Sequence, residues 1–98
     1  MRLTQYEIVS IKKTFLEVFK HGSIYLFGSR VDDTKKGGDI DLFIVLNYKL
    51  SIDNILDKRK KFKISLYDKI GEQKIDVIIA KDKTRPIEQE VRRTWVEL

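Results

Sequence analysis

Two aspartates, Asp39 and Asp41, begin a run of apolar β-forming residues that continues to Leu46. Side chains two apart on a strand point the same way, with about 6.6 Å between them along the backbone. Aspartate is depleted in strands, and two like charges on one face repel. A divalent cation is the simplest compensation, because Mg²⁺ prefers oxygen ligands, and a carboxylate pair also suits two metal ions. The alternative interpretation is a solvated strand entrance at the edge of a sheet.

A second polar element, Gly28-Ser29-Arg30, directly follows the short apolar segment 23–27. A glycine at such a turn lets the backbone approach a ligand closely. Exposed N–H groups and the serine hydroxyl suit phosphate oxygens, and Arg30 suits a bidentate phosphate contact. Taken alone, the same three residues are more typical of an ordinary turn at the end of a strand.

Six elements are predicted to position these residues. Thr4 and Glu7 form a capping-box pattern, and the apolar spacing that follows predicts a helix over residues 4–20. Strands are predicted at 23–27, 39–46 and 74–80, and a helix between Ser51 and Gly71. Pro86 suits the first turn of a last helix, which carries Ile87, Val91, Trp95 and Leu98 on one stripe. The order αββαβα predicts an α/β (α+β) class, and the short 28–38 loop indicates a mixed sheet.

The 98-residue length predicts a single domain over residues 1–98. The absence of cysteine excludes a disulfide scaffold and a thiolate metal site. No apolar run approaches the roughly 20 residues of a membrane span, so we expect no membrane partner and a cytoplasmic location. The net charge is +5, and much of the excess lies in the basic segment, residues 58–63. This segment suits either a solvated helix face or an anionic partner.

Together, these motifs resemble the nucleotidyltransferase superfamily of DNA polymerase β. The similarity lies in a strand, Gly28-Ser29, a nine-residue gap and then Asp39-Ile40-Asp41 on a second strand. Many related proteins have ten residues in this gap. The family places a third carboxylate on a later strand, and Asp76 within Lys74-Ile75-Asp76-Val77 occupies that position. The chain is most similar to the minimal nucleotidyltransferases, which are often encoded beside a HEPN-domain protein.

The resemblance implies a Mg²⁺-dependent transfer of AMP from ATP to a hydroxyl. Asp39 and Asp41 would hold two metal ions, and Asp76 would bind one of them and accept the proton of the attacking hydroxyl. Gly28 and Ser29 would hold the β- and γ-phosphates, assisted by Arg30. The implied acceptor is a hydroxyl on a HEPN-type partner, so the protein would act as an antitoxin by adenylylation.

Two other functions stay open at this point. One is a non-catalytic antitoxin that neutralises its partner by forming a complex with it. The other is a nucleic-acid-binding domain that uses the basic segment, and we rank it last because no aromatic-rich single-strand platform is visible. The sequence leaves the acceptor, the base preference and the oligomeric state open.

Overall fold

Helices and strands follow one another in the predicted order in the computed structural model, which describes residues 1–34, 38–81 and 84–98. The elements are α1 (Gln5–Phe19), β1 (Ser23–Phe27), a 3₁₀ turn (Gly28–Val31), β2 (Ile40–Val45), α2 (Ile52–Ile70), β3 (Ile75–Ile79), α3 (Pro86–Thr94) and β4 (Val96–Glu97). The predicted capping box is confirmed, because Glu7 N–H donates to Thr4 Oγ1 and Thr4 N–H donates to Glu7 Oε1. No helix in the described ranges is both long and apolar enough to cross a membrane.

The sheet is mixed, as predicted, with the strand order β3-β2-β1-β4. β1 runs antiparallel to both β2 and β4, and β2 runs parallel to β3. α2 makes the crossover that a parallel pair requires. In this register, Asp41 on β2 lies between Phe27 on β1 and Asp76 on β3.

One face of the sheet packs against α1 and α2 and forms the main core. Alternation along β2 directs Ile40, Leu42 and Ile44 into this core, where all three are fully buried. The helices contribute aromatic rings, and Phe19 packs between Phe15 and Phe62 at centroid distances of 5.6 and 6.0 Å. Asp41 and Phe43, at the alternate positions, therefore point to the opposite face.

The predicted apolar stripe of the last helix is wrong beyond Val91. α3 ends at Thr94, Trp95 adopts an extended backbone conformation, and the chain continues as β4. The reason is tertiary: the Trp95 ring stacks on Tyr25 with a centroid distance of 3.8 Å. Leu98 N–H then donates to Ile24 O, and Leu98 packs against the main core.

A buried glutamate anchors α3 to the segment after β3. Glu88 is fully buried, and its Oε2 accepts hydrogen bonds from Lys81 N–H and from the Arg85 guanidinium. Arg92, one turn further along, lies over the rings of Trp95 and Phe43 at 4.9 and 5.7 Å. α3 therefore covers Phe43, the residue two positions beyond Asp41.

Candidate active site

Three carboxylates converge at one end of the parallel strand pair. Asp41 and Asp76 lie opposite one another in the register of β2 and β3, and Asp39 immediately precedes β2. One carboxylate oxygen from each residue lies within 4.8 Å of the other two. The structure thus brings together the two aspartates whose spacing suggested a shared face and Asp76, which the family resemblance assigned to the same site from a strand 35 positions further along the chain.

The electrostatics of this cluster favour added positive charge. Burial raises the pKa of Asp41 above its usual 3.8, and the negative charges of Asp76 and Asp39 raise it further. Both effects have the expected direction, because burial and nearby negative charges each disfavour the ionised form of a carboxyl group. Oxygen ligands grouped in this way suit hard divalent cations such as Mg²⁺.

Gly28 joins the 3₁₀ turn to this cluster. Its φ is +77°, and a Cβ atom at this position would lie only 2.3 Å from Asp41 Oδ2. A side chain here would displace the carboxylate as well as strain the backbone. The glycine that the sequence assigned to a phosphate-binding turn is thus also the residue that makes room for Asp41.

A second glycine, Gly38, makes similar room for Ser29. Its φ is +90°, and an added Cβ would lie 2.2 Å from Ser29 Oγ. The end of the 28–38 loop therefore folds back onto its beginning and places Asp39 beside the turn. The sequence analysis recognised Gly38 only as a loop glycine, because its contact with Ser29 depends on the closed loop.

A comparison with protein families identifies the family of the chain. The family model described as "Polymerase beta, Nucleotidyltransferase" matches residues 9–98. The chain belongs to this nucleotidyltransferase family. The matched range includes the three carboxylates and Gly28-Ser29-Arg30, whereas residues 1–8 lie outside it. No similar sequence was found among curated proteins.

Membership makes the chain a transferase of the nucleotidyl-transfer class. The nucleotidyltransferase fold predicted from the sequence is likewise confirmed. The three converging aspartates form a candidate metal site, because carboxylate oxygens are the ligands that hard divalent cations prefer.

Arg30, the third residue of the predicted phosphate turn, has its guanidinium directed at neighbouring backbone. Nη1 donates to Arg2 O at 2.9 Å and Nε donates to Gly38 O at 3.3 Å. Nη2 lies 3.5 Å from Gln73 Oε1. In the structure described, Arg30 therefore ties the turn to the N-terminal residues, to the end of the loop and to the segment before β3.

Glu7 extends this polar network on the α1 side. Gln73 Nε2 donates to Glu7 Oε2 at 2.9 Å. Burial alone would raise the pKa of Glu7, but hydrogen bonds from Thr4 and Gln73 and the charge of Arg30 outweigh it, so the pKa is lowered. The capping-box glutamate of α1 is thus electrostatically connected to the candidate nucleotide turn.

Lys74 is a site residue that the sequence analysis did not select. Its Nζ lies 3.3 Å from Asp39 Oδ2. The hydrogen bond and charge of Asp39, followed by the charge of Asp76, raise the pKa of Lys74. A usable signal was present, because Lys74 is two residues before Asp76 and alternation places both on one side of the strand.

In the basic segment, residues 58–63, two lysines bind neighbouring groups of the protein, and the remaining basic residues line a surface groove. Lys58 donates to Val18 O on α1, and Lys61 pairs with Asp57 at 3.0 Å. The other basic residues line a groove of about 440 Å³ together with apolar side chains. The groove residues are Leu56, Arg59, Lys60, Lys63, Ile64 and Tyr67. This surface of α2 therefore combines basic and apolar side chains, and Leu56 and Ile64 are about half exposed on it.

Proposed function

We propose that this protein is a Mg²⁺-dependent enzyme that transfers AMP from ATP to a hydroxyl on a HEPN-type partner protein. The observation that carries the proposal is the convergence of Asp39, Asp41 and Asp76 against Gly28. Family membership supplies the reaction class, nucleotidyl transfer. The nucleotide, the acceptor and the residue roles are our proposal.

The donor set fits two divalent ions. It offers carboxylate oxygens from three residues. Asp39 and Asp41 are partly buried, and Asp76 is exposed. The surroundings of Asp41 disfavour its negative charge, which a bound cation would compensate. Asp39 and Asp41 would hold the two ions, and Asp76 would help to hold one of them. When bound, such ions neutralise charge on the phosphates and orient the reacting oxygens.

The 3₁₀ turn Gly28–Val31 is the proposed triphosphate site. Gly28 allows the phosphates to approach the backbone, and Ser29 contributes its N–H and hydroxyl. Arg30 adds a positive charge at the same turn while its guanidinium keeps the loop closed. The α-phosphate would then lie next to the carboxylates, because Gly28 contacts Asp41.

The proposed step is an in-line displacement at the α-phosphorus of ATP. The acceptor oxygen forms a bond to the α-phosphorus as the bond to the β-phosphate oxygen breaks. Pyrophosphate leaves with that electron pair, and Asp76 accepts the proton of the acceptor hydroxyl. Positioning of the two substrates supplies much of the rate in reactions of this type.

The partner protein would provide the surface that positions the acceptor hydroxyl. The groove on α2, lined by Arg59, Lys60 and Lys63 beside Leu56 and Ile64, is a suitable docking surface. In this proposal residues 1–98 act as one catalytic domain in the cytoplasm, where ATP and Mg²⁺ are available. Modification of the partner would neutralise it, as expected for an antitoxin.

The test is a transfer assay with the purified chain, Mg²⁺, ATP and a HEPN-domain protein encoded beside it. We expect the partner to gain the mass of one AMP per modified hydroxyl, and Asp41→Asn to abolish this gain. Asp57→Asn, which removes an exposed carboxylate on α2, is the matched control and should retain activity. If Asp41→Asn binds and neutralises the partner as well as the wild type, the protein is a non-catalytic binding module instead.

A further inference from the structure

An arginine outside the family match binds the backbone of the proposed phosphate turn. Arg2 Nη2 donates to Ser29 O at 2.8 Å, and Arg2 Nε donates to Asp32 O at 3.0 Å. Arg2 N–H also donates to Arg30 O at 2.7 Å. These contacts join residues about 30 positions apart in the sequence and connect the N-terminal arm, residues 1–3, to the turn.

The connection is reciprocal. Arg30 Nη1 donates to Arg2 O at 2.9 Å, so each arginine binds the main chain of the other. Hydrogen bonds from charged donors are roughly twice as strong as neutral ones, and a guanidinium presents its donors in a rigid planar arrangement. Arg2 is also partly buried, which protects these bonds from competition with water.

These bonds determine the orientation of the peptide groups in the turn. The carbonyl and N–H of one peptide point in opposite directions, because the group is planar and trans. By holding the carbonyls of Ser29 and Arg30, Arg2 fixes the planes that also contain the N–H groups of Arg30 and Val31. Backbone N–H groups fixed in a turn are the usual means of binding phosphate oxygens without large side chains.

The same turn forms one wall of the carboxylate cluster. Gly28 approaches Asp41 so closely that an added Cβ would lie 2.3 Å from Asp41 Oδ2. A turn that moved without its Arg2 contacts would therefore change the space available between the phosphates and Asp41.

We propose that Arg2 is a positioning residue for the nucleotide, holding the turn at residues 28–32 in its triphosphate-binding conformation. This inference rests on the proposed function. It goes beyond the family resemblance, because the matched range begins at residue 9 and the arm precedes it.

The test measures the affinity of the full chain for ATP in the presence of Mg²⁺, by calorimetric titration, at a temperature where circular dichroism shows each variant folded. For Arg2→Gln we expect about tenfold weaker binding, which is 1.4 kcal/mol. For Arg2→Lys, which keeps the charge but not the planar donors, we expect about threefold weaker binding. In the transfer assay, KM for ATP should rise with little change in kcat, because the contact supports binding rather than chemistry.

Lys13→Gln is the control for charge, because it removes one exposed cation from α1, and this residue has no role in the proposed site or docking surface. Its affinity for ATP should stay within about twofold of the wild type. An equal loss in Lys13→Gln and Arg2→Gln would overturn the positioning role in favour of a general charge effect. Wild-type affinity in Arg2→Gln, or in Arg2→Lys if the glutamine variant unfolds, would overturn it directly and leave the proposed function intact. Failure of the wild-type chain itself to bind ATP with Mg²⁺ would overturn both.

Discussion

Replacing Asp41 by asparagine should stabilise the metal-free protein. One carboxylate oxygen each of Asp39, Asp41 and Asp76 lies within 4.8 Å of the other two. Two unit charges at that separation repel by about 0.9 kcal/mol at the dielectric constant of water, and by about 3.5 kcal/mol at an effective value of 20. Asp76 is exposed and the Asp39 side chain is 37% exposed, so the lower figure applies more closely.

Asp41→Asn removes the repulsion from both neighbours, and Lys74 already offsets part of that repulsion in the wild type. We therefore expect the free energy of unfolding to rise by about 1 kcal/mol. For a domain of this size, that corresponds to a rise in Tm of roughly 4–8 °C. The assay is thermal unfolding at neutral pH in EDTA, followed by circular dichroism. Asp57→Asn is the matched control, because it removes an exposed carboxylate paired with Lys61, and its free energy of unfolding should change by less than about 0.5 kcal/mol.

The higher stability of Asp41→Asn relative to the wild type should depend on pH in a defined direction. Because the folded protein raises the pKa of Asp41 above 3.8, the wild type loses stability as pH rises from that value through the raised pKa. Below 3.8, where Asp41 is neutral in both the folded and the unfolded state, the two proteins should converge. A wild type as stable as Asp41→Asn at neutral pH in EDTA, or an equal rise in Tm for both on adding Mg²⁺ and ATP, would refute this reasoning.

Three further perturbations have defined outcomes. Gly28→Ala should lower Tm and abolish the rise in Tm with Mg²⁺ and ATP, because its methyl group would collide with Asp41; an unchanged rise would contradict this. Lys74→Gln should strengthen Mn²⁺ binding by about two- to fivefold in calorimetric titration, because it removes a cation that contacts Asp39. Glu7→Gln should lower stability to urea at neutral pH, and the difference should vanish as pH falls through the lowered pKa of Glu7. A loss of stability in Glu7→Gln that persisted at acid pH would show that the negative charge of Glu7 is not its cause.

The order of elements could be predicted because local signals agreed with the tertiary structure. The Thr4–Glu7 capping box marks the start of α1, and the apolar run after Asp41 identifies a central strand. β4 could not be predicted in the same way. Trp95 has helical spacing from Val91, but its stacking on Tyr25 draws the chain into an extended conformation.

The residues of the candidate site were likewise only partly predictable from the sequence. The spacing of Asp39 and Asp41 predicted that their side chains would lie close together, and in the structure they do, although Asp39 immediately precedes β2. Arg2 has no sequence signal, because its partners are backbone carbonyls of a turn about 30 positions away. Main-chain acceptors occur at every residue, so only the folded chain reveals which of them a guanidinium contacts.

The central claim is that the three carboxylates support nucleotidyl transfer, and the position of a radioactive phosphate in ATP tests it most directly. The chain and the HEPN-type protein proposed as its partner are incubated with Mg²⁺ and ATP labelled at either the α- or the γ-phosphate. We expect the α-label on the partner and the γ-label in released pyrophosphate, with neither event in Asp41→Asn. A γ-label on the partner, or transfer by Asp41→Asn at the wild-type rate, would contradict the account.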